Sequence, residues 1–466
     1  MSDTSTGPGS YQAAVRALES RGRFGIRLGL GRTRALLREL GDPQLEFRGA
    51  LVAGTNGKGS VLALAGSALR AAGIRAGETP KPHLVSYRER LTIAGVPIDP
   101  DAFTRLVGEV LPAADRVARR HGEPTEFELL TGLIFRWFAE SGVRIALVEV
   151  GLGGRLDATH AWDGGVAAVT NVALDHTELL GSTIPLIARE KAAIIERGDL
   201  AVTGATGEGL AVIRRRARRM GVPLREVDVP QIETIDRDGL VVDLPRLGST
   251  RVALRGRHQA ANVAVADATL DSLAEAGIAS VTREARRRGY ATATWPGRLE
   301  LLSIGGRDIL LDGAHNPAGA AALAVALDDL RPTLTGAPGS GDSSRADDRS
   351  RGAKPVPITM LVASMADKDV DGVIEALRAS PVVRGARIIC TSLDLARALS
   401  ADALAARWRA AGASEVRAIA DPGRATDAAL ERGSGPVVIC GSLYLVGEAR
   451  RRLVDDPRLR DPEDLP

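Results

Sequence analysis

The chain contains little of several residue types, and each shortage excludes a class of protein. Its 466 residues include only two cysteines, Cys390 and Cys440, which are too few for a disulfide scaffold. Both lie in apolar runs, as is typical of buried thiols in a reducing compartment. No apolar run reaches the ~18 residues of a membrane span, and the polar start of the chain lacks the pattern of a signal peptide. We therefore expect a cytoplasmic protein with no membrane partner.

An excess of charge of one sign is also lacking, because 61 basic and 58 acidic residues leave a net charge of +3. Nothing in this balance requires a nucleic-acid partner. Lysine is rare, and the five lysines are Lys58, Lys81, Lys191, Lys354 and Lys368. Since arginine supplies the other positive charges, each lysine is a candidate for chemistry that needs a primary amine or a compact charge. Lys354, in a low-complexity stretch, is interpreted as incidental.

The chain does contain a regular alternation of short apolar runs and helix-like segments. The runs that predict buried strands are 145–150, 166–172, 309–311, 358–362, 386–390 and 436–440. Continuous apolar strands separated by helices predict an α/β fold with parallel sheets covered on both faces.

The length and a change of pattern near 291–297 predict two domains. We expect the first domain at 11–297 and the second at 298–455, with a disordered tail at 1–10 and another tail at 456–466. Residues 332–357 are rich in Gly, Pro, Ser and Asp and are predicted to be a disordered insertion in the second domain.

Residues 51–60, Leu-Val-Ala-Gly-Thr-Asn-Gly-Lys-Gly-Ser, predict a phosphate-binding turn between a strand and a helix. Glycines let the backbone approach an anion, and a helix N-terminus presents N–H groups to it. In such a turn Lys58 reaches the β/γ-phosphates and Ser60 faces the metal. The spacing departs from the G-x-x-x-x-G-K-[ST] pattern, so a plain glycine turn is the alternative. The hypothesis is ATP binding by Gly54, Thr55, Asn56, Gly57, Lys58, Gly59 and Ser60.

Polar residues follow other strands of the first half. Glu149 lies in an apolar strand, where a buried carboxylate needs a cation; the candidates are Mg²⁺ shared with phosphate and a neighbouring arginine. Arg155 and Asp157 follow a glycine-rich turn and are interpreted as facing the substrate. His176 is either a metal or phosphate ligand or a structural residue. Lys191 lies on a helix and, as one of the five lysines, is a candidate for chemistry. The alternative interpretation is an ordinary helix lysine that is solvated or ion-paired.

The second half repeats this arrangement. Asn262 lies near the start of a helix-like segment, Arg298 lies at the predicted domain junction, and Asp312 and His315 follow a strand. In open α/β sheets, ligands bind at the carboxyl ends of the strands. Polar clusters at strand ends in both domains therefore predict a site in the cleft between them.

On these residues the chain resembles the folylpolyglutamate synthase/dihydrofolate synthase family, a branch of the ATP-dependent Mur ligase superfamily. The matching runs follow the family order at 24–40, 54–60, 82–84, 87–90, 125–131, 149–159, 175–177, 189–192, 256–262, 295–298, 312–317 and 442–448. The resemblance implies a larger P-loop domain of Mur-ligase type with a parallel-rich sheet, a smaller Rossmann-like α/β domain, and ATP between them. The implied reaction joins L-glutamate to dihydropteroate, or to the terminal glutamate of a folate, through an acyl phosphate. Nothing requires an oligomer, and we expect a monomer.

The resemblance also assigns roles to residues. The implied catalytic residues are Lys58, Lys191 and His315, the last near the transferred phosphoryl group. Further contacts to the nucleotide come from Asn262, Arg298 and Asp312. Two Mg²⁺ sites, one supported by carbamylated Lys191, are implied by Ser60, Glu149, His176 and Lys191. The predicted substrate-binding residues are Lys81, His83, Phe127, Glu128, Arg155 and Asp157.

Two positions depart from the family pattern. Lys81 stands where the family has a magnesium-binding Ser. Because an ammonium group cannot ligate a metal, either the magnesium loses a ligand or gains a water, or Lys81 contacts a phosphate. His160 stands where the family has Asn, a change that could alter the pterin side of the site.

Other functions are open at this stage. A peptidoglycan-precursor ligase of the same superfamily carries an extra domain before its P-loop, and we expect no room for one before Gly54. A ligase for a different carboxylate acceptor is a further alternative. A regulatory nucleotide-binding protein with a decayed metal site is suggested by Lys81 and opposed by the retained Lys58, Glu149, His176, Lys191 and His315. A P-loop kinase would release ADP without incorporating glutamate.

Overall fold

The computed structural model describes residues 8–22, 28–336, 356–395, 397–431 and 435–462. Parts of the predicted 1–10 tail, of the 332–357 insertion, of the 456–466 tail and of the matching run 24–40 lie outside the described residues, as does Lys354. Ser10, within the predicted N-terminal tail, accepts a hydrogen bond from Ala13 N (3.2 Å) at the start of the first helix.

The described strands are β1 (Arg48–Ala53), β2 (Ala76–Thr79), β3 (Thr92–Ile93), β4 (Val96–Pro97), β5 (Ile145–Glu149), β6 (Gly165–Val169), β7 (Leu200–Thr203), β8 (Leu224–Glu226), β9 (Ile232–Asp236), β10 (Gly239–Leu244), β11 (Gly248–Val252), β12 (Glu300–Ile304), β13 (Arg307–Leu311), β14 (Thr359–Val362), β15 (Arg387–Cys390), β16 (Val416–Ala418) and β17 (Val437–Cys440).

The described α-helices are α1 (Tyr11–Gly22), α2 (Gly31–Glu39), α3 (Lys58–Ala71), α4 (Pro100–His121), α5 (Glu126–Glu140), α6 (Thr177–Leu180), α7 (Ile184–Ala192), α8 (Gly207–Met220), α9 (Gln259–Glu275), α10 (Arg283–Thr292), α11 (Pro317–Leu330), α12 (Val370–Arg378), α13 (Pro381–Arg384), α14 (Ala401–Ala410), α15 (Pro422–Glu431) and α16 (Leu443–Leu453).

The first sheet has the strand order β4-β3-β2-β5-β1-β6-β7-β8. The six strands β2, β5, β1, β6, β7 and β8 run parallel to one another. Strands β3 and β4 extend the sheet beyond β2 by antiparallel pairing. In the register, Val52 of β1 pairs with Glu149, and Ala53 pairs with Val169. The carboxyl ends of β1, β5 and β6 therefore meet at one edge, where polar loop residues come together.

Apolar side chains cover both faces of this sheet, as the continuous strand pattern predicts. One core contains Phe47, Phe135, Phe138 and Trp162, with contributions from α1, α2, α4 and α5. The other joins α3, α9 and α10 to the opposite face and contains the fully buried Tyr290. Burial of each large apolar side chain stabilises the fold by about 1.5–3 kcal/mol. The predicted α/β class with a parallel-rich sheet is confirmed.

A three-stranded antiparallel sheet, β11-β10-β9, was not predicted. Its outer strand β9 is half-exposed and alternates polar with apolar residues, so it lacks the continuous apolar run of a buried strand. The Asp238–Gly239 pair, where the turn after β9 enters β10, is the hairpin signal that would have found it. At this turn the Arg237 Nη2 atom donates to Ser303 Oγ (2.8 Å) and to Asp308 Oδ1 (2.6 Å), residues of β12 and β13.

The third sheet has the order β12-β13-β17-β14-β15-β16, parallel except for β12 at its edge. Helices α11 to α16 accompany it, as in a Rossmann-like unit. We call the part of the chain with the first two sheets the N-terminal region and the part with this sheet the C-terminal region. The predicted boundary at 297 falls between α10 and β12, and the division into two domains stays a prediction.

The two cysteines lie in the C-terminal sheet. Cys390 and Cys440 are buried and free, as predicted, and burial raises the pKa of the Cys390 thiol to about 12. In the described part of the chain, no helix is long and apolar enough to cross a membrane.

The described residues of the predicted tail at 456–466 contact the N-terminal region. The Asp461 Oδ1 atom accepts hydrogen bonds from Ser86 Oγ (2.7 Å) and Arg88 Nε (3.0 Å). Arg88 Nη2 also donates to Arg460 O (2.9 Å), and Gln12 Nε2 donates to Pro462 O (3.1 Å). The Asp461 carboxylate thereby neutralises the buried Arg88 guanidinium of the N-terminal region.

Candidate active site

The turn after β1 has a backbone conformation that requires glycine at two positions. Gly54 (φ 153°) and Gly57 (φ 81°) both have positive φ, and a Cβ there would overlap Thr170 or Asn262. Gly57 immediately precedes α3, which begins at Lys58. The Lys58 Nζ atom donates to the carbonyl oxygens of Gly54 and Thr55, each at 3.1 Å. A helix N-terminus and an ammonium group thus lie together at the carboxyl edge of the first sheet, an arrangement suited to phosphate.

Glu149 ends β5 beside this turn and lies among cations. It is only 3% exposed, and its Oε2 atom accepts a hydrogen bond from Lys81 N (2.9 Å). Among the described residues, none donates to Oε1. Burial raises the pKa of Glu149, while Lys58, Lys81 and Arg298 act to lower it. The site therefore contains a largely buried carboxylate with one oxygen available to a further cation.

Two other lysines have buried ammonium groups here. Lys81 Nζ donates to Glu149 O (2.5 Å) and lies 4.7 Å from the centroid of the Phe127 ring. Lys191 Nζ, on α7, donates to Gly54 O (2.9 Å). Burial lowers the pKa of Lys81 to about 8. Burial and the nearby Lys58 lower the pKa of Lys191 to about 7. A substantial fraction of Lys191 is therefore neutral amine near pH 7.

The C-terminal region contributes a second buried cluster at the end of β13. The Asp312 carboxylate accepts hydrogen bonds from Leu299 N and Ala314 N, each 2.9 Å. Burial raises the pKa of Asp312, and Arg298 opposes this shift. His315 Nδ1 lies 2.7 Å from Gly313 O; because a carbonyl only accepts, Nδ1 carries the proton. Burial lowers the pKa of His315, which leaves Nε2 available as an acceptor.

Direct contacts join the two regions at this edge. Asn316 Nδ2, at the start of α11, donates to Asp175 Oδ2 (3.1 Å) and to Asn56 Oδ1 (3.4 Å) of the glycine turn. Lys368 Nζ, after β14, lies 3.5 Å from Asp175 Oδ1. Burial acts to raise the pKa of Asp175, but His176, Lys368 and the other neighbours lower it overall. The carboxyl ends of the first and third sheets therefore face each other across the glycine turn.

Comparisons with known proteins give the family of this chain. It is 36% identical over 328 residues to the dihydrofolate synthase/folylpolyglutamate synthase of Bacillus subtilis, covering 68% of this chain and 76% of that protein. It is 32% identical over 475 residues to the enzyme of the same name from Mycobacterium tuberculosis, covering 92% and 91%. The chain belongs to the folylpolyglutamate synthase/dihydrofolate synthase family. The family, the fold and the ligase class predicted from the sequence are thereby confirmed.

Solved structures of the family agree with this assignment. Mycobacterium tuberculosis folylpolyglutamate synthase complexed with ADP and AMPPCP matches with a TM-score of 0.80 at 30% identity, over 96% of this chain and 99% of that one. The Yersinia pestis bifunctional synthase complexed with AMPPNP and Mn matches with a TM-score of 0.77 at 28% identity, over 97% and 100%. A scan against protein-family models found no match.

Three of the predicted substrate-binding residues, Lys81, Phe127 and Asp157, lie together beside Glu149, and His83 follows Lys81 by two residues. Lys81 lies over Phe127, and the Asp157 charge raises the pKa of Lys81 against the effect of burial. Asp157 also accepts hydrogen bonds from Leu152 N (2.8 Å) and Thr159 N (3.0 Å), so it fixes the turn after β5. His83 Nδ1 accepts from Arg90 Nε (2.8 Å). Burial and Arg90 lower the pKa of His83 to about 3, so its ring is neutral.

The other two predicted substrate-binding residues have protein partners. Glu128 caps α5 by accepting from Thr125 N (2.8 Å) and pairs with Arg32 Nε (2.9 Å). Arg155 Nε pairs with Glu190 Oε1 (2.8 Å) on α7. Their assignment to the substrate stays a prediction.

The predicted metal ligands fit an ion that is also coordinated by phosphate oxygens better than an ion coordinated by protein side chains alone. In the described ranges, no group of three or more His, Cys, Asp or Glu side chains could hold a metal. Mg²⁺ commonly takes one or two carboxylates, waters and substrate phosphates, and the Glu149 Oε1 atom accepts no hydrogen bond from a described residue. Ser60 Oγ accepts from Gln259 Nε2 (3.3 Å), and Gln259 Oε1 accepts from Asn262 Nδ2 (2.8 Å). The His176 side chain is 42% exposed.

Sequence reasoning assigned no role to three residues of this site. Asp175, Asn316 and Lys368 make contacts between the regions at this site, although 175–177 and 312–317 were matching runs. The scarcity of lysine is the signal that could have found Lys368, as it found Lys58, Lys81 and Lys191.

Proposed function

We propose that the chain uses ATP to join L-glutamate to dihydropteroate, or to the terminal glutamate of a folate, through an acyl phosphate. The observation that carries the proposal is the convergence of Lys58, Lys81 and Lys191 around Gly54 and Glu149. Three ammonium groups at the carboxyl edge of the first sheet can neutralise the negative charges of a triphosphate and of the carboxylate that is to be phosphorylated. The ADP, AMPPCP and AMPPNP complexes of related enzymes support ATP as the nucleotide.

The reaction needs activation because a carboxylate is a poor electrophile. Transfer of the γ-phosphoryl group to the acceptor carboxylate creates a leaving group, which the glutamate amine displaces to form the amide and release phosphate. In such a transfer the protein mainly positions the reactants and stabilises charge. Lys58 would bind the phosphates with the α3 N-terminus, Asn262, Arg298 and Asp312 would contact the nucleotide, and His315 Nε2 would face the transferred group.

We further propose two Mg²⁺ sites supported by Ser60, Glu149, His176 and Lys191. When bound, the metal neutralises negative charge on the phosphates. Lys191 would take part as a carbamate: its neutral amine forms an N–C bond with CO₂ and releases a proton, so that a cation becomes an anionic ligand. The lowered pKa of Lys191 supports this. A carbamate carbon signal in ¹³C NMR after incubation with labelled bicarbonate, absent in Lys191→Ala, would test it independently of activity.

Lys81 would serve the acceptor side of the site. Its ammonium group lies between Glu149 O and the Phe127 ring. It could therefore bind a negatively charged group of an acceptor that packs against Phe127. Lys81 also holds the Glu149 carboxylate through its backbone N–H. We infer that the backbone of this residue orients Glu149 while its side chain supplies charge that the family's Ser does not.

Incubation with ATP, Mg²⁺ and labelled glutamate, with dihydropteroate or tetrahydrofolate offered separately, tests the function. We expect ADP release only when both glutamate and an acceptor are present, with label in the product. Lys58→Met is the control and should lower the rate by ~10²–10³. ADP release without labelled product would indicate a kinase, and nucleotide binding without turnover would indicate a regulatory protein. A monomeric state and a cytoplasmic location stay predictions, and sedimentation tests the first.

A further inference from the structure

A buried glutamine at the start of α9 lies against the first turn of α3, where the phosphate-binding turn ends. Gln259 is the first residue of α9. Its Nε2 atom donates to Ser60 Oγ (3.3 Å), and its Oε1 atom accepts from Asn262 Nδ2 (2.8 Å). Nε2 also lies 3.1 Å from His258 Nε2, which accepts because an amide nitrogen only donates. Both polar atoms of the Gln259 side chain therefore have partners.

Asn262 fixes the direction in which this amide points. If the oxygen and nitrogen of Gln259 were exchanged, two NH₂ groups would face each other, and the hydrogen bond with Asn262 would be lost. Asn262 is itself buried, and its Oδ1 atom lies against Gly57, where a Cβ would overlap it. The amide nitrogen of Gln259 is thereby directed at Ser60.

The hydroxyl group of this turn stands one residue later than in the G-x-x-x-x-G-K-[ST] pattern. Gly59 occupies the usual place of the hydroxyl residue, and a Cβ there would overlap the Trp295 ring. A serine or threonine at position 59 is therefore excluded by the packing of Trp295. Because successive side chains on a helix point about 100° apart, the Ser60 hydroxyl has a different direction, in which it is buried beside α9.

We propose that Gln259 is a positioning residue that orients the Ser60 hydroxyl as a ligand of the metal ion bound with the nucleotide. This inference rests on the proposed function, in which Ser60 supports Mg²⁺. A hydroxyl group has one proton and two lone pairs. The Gln259 N–H group engages one lone pair, which leaves the other for the metal. Without Gln259 the hydroxyl is free to turn and to donate to a carbonyl of the preceding turn, as serines in helices do.

The affinity of the ADP complex for Mn²⁺, followed by electron paramagnetic resonance, tests this role without turnover. Gln259→Met keeps the length of the side chain and removes its hydrogen bonds. We expect the Kd of Mn²⁺ to rise about tenfold in this variant, as is typical when the partner of a metal ligand is removed. The Kd of ADP in EDTA, measured by calorimetry, should change much less, because Lys58 and the α3 N-terminus still face the phosphates.

A double-mutant cycle separates the orientation of Ser60 from general support of the fold. In a Ser60→Ala background, Gln259→Met should cause no further loss of Mn²⁺ affinity, because no hydroxyl remains to be oriented. Thr269→Val is the matched control, since Thr269 is a buried residue of α9 whose hydroxyl donates to Val265 O (2.7 Å) of the same helix. It should leave the affinities for Mn²⁺ and for ADP unchanged.

Additive losses in the double variant would overturn the inference, because Gln259 would then act independently of Ser60. An equal rise in the Kd of ADP with and without metal would also overturn it and would assign Gln259 to the phosphates through Asn262. Both outcomes leave the proposed function intact. If the unsubstituted protein with ADP binds no Mn²⁺, the proposed metal sites fail and the inference fails with them.

Thermal melting shows whether each variant is folded. Gln259→Asn serves in the same cycle if Gln259→Met does not fold. Its amide is polar but one methylene shorter, so it falls short of Ser60 Oγ, and the same loss of Mn²⁺ affinity is expected. An unchanged Mn²⁺ affinity in a folded variant would overturn the inference.

Discussion

Single lysines account for much of what is distinctive at the candidate site. Lys81 and Lys191 are buried, and each ammonium group donates a hydrogen bond to a backbone carbonyl. A buried ammonium group without a carboxylate partner is costly. Proteins retain such groups where a ligand or a chemical change of the side chain compensates for the free energy of desolvation. The scarcity of lysine in the sequence indicated these positions before their surroundings were known.

Lys191→Met is expected to stabilise the protein without nucleotide at neutral pH. The pKa of Lys191 is about 7 in the folded chain against the ordinary 10.5, so the unfolded chain binds more protons between these values. The loss of folding stability caused by burying charged Lys191 is complete below pH 7. It decreases as the pH rises toward 10.5. We expect a gain of about 2 kcal/mol in the free energy of unfolding at pH 6.5.

Urea unfolding at pH 6.5 and 9.5, in buffer free of CO₂, measures this effect. The gain should be much smaller at the higher pH. A gain that does not depend on pH would show that Lys191 is not desolvated in the folded protein. The same variant should lose most ligase activity, and added bicarbonate should not restore it.

Lys81→Ser is expected to lower the Mg²⁺ concentration needed for half-maximal activity by about tenfold. The substitution removes a positive charge beside Glu149 and supplies a hydroxyl that can ligate the ion. Lys81→Met is the control, because it removes the charge without adding a ligand. Activity titrated with Mg²⁺ at saturating ATP is the measurement. An unchanged magnesium dependence in both variants would show that Lys81 has no influence on the metal.

At the scale of elements, the sequence predicted those parts whose signals are local. The strand, glycine turn and helix around Lys58 are an example, since an apolar run, Gly57 and the helix are contiguous. The ends of β5 and β13 were found for the same reason. The sheet of β9 to β11 was missed because its outer strands, β9 and β11, are half-exposed and lack a continuous apolar run. The docking of 455–462 was missed because its partner, Arg88, is distant in the chain.

Asp461→Asn tests that docked segment. The substitution removes the carboxylate that pairs with Arg88, whose side chain is 5% exposed. Arg88 keeps its bonds to Ile98 O and Arg460 O, so the loss is partial. We expect the free energy of unfolding to fall by about 2 kcal/mol, as measured by urea unfolding.

Asp455→Asn is the control for this measurement, because it removes a fully exposed carboxylate of the same segment. It should leave the unfolding curve unchanged. Equal curves for both variants would mean that the Asp461 contact contributes nothing to the fold.

Across the whole molecule, ion pairs distant in sequence join the two regions. Arg237 pairs with Asp308, Arg257 with Asp329 (2.7 Å), and Lys368 with Asp175 (3.5 Å). A local pattern cannot reveal such pairs, because each partner alone looks like an ordinary surface charge. The sequence predicted a cleft from strand ends, yet not the residues that close it. Of the three pairs, only Lys368–Asp175 lies beside the glycine turn and therefore next to the nucleotide site.

Lys368→Met should weaken this closure and with it the binding of nucleotide. Asp175 would keep only the Asn316 hydrogen bond from the C-terminal region, so the closed arrangement would lose about 0.5–1 kcal/mol. If nucleotide binds the closed arrangement, its apparent Kd should rise by about twofold to fivefold. Titration calorimetry with ADP gives the Kd, and small-angle scattering without nucleotide should give a larger radius of gyration for the variant.

The matched control is Arg417→Met, which removes an exposed cation of the same region with no partner among the described residues. It should change neither measurement. High salt should raise the Kd of the unsubstituted protein toward that of Lys368→Met, because screening weakens a partly exposed pair. If Lys368→Met bound ADP as tightly as the unsubstituted protein at low salt, the Asp175 pair would not contribute to closure. Closure would then depend on the Asn316 hydrogen bonds and on the bound ligand.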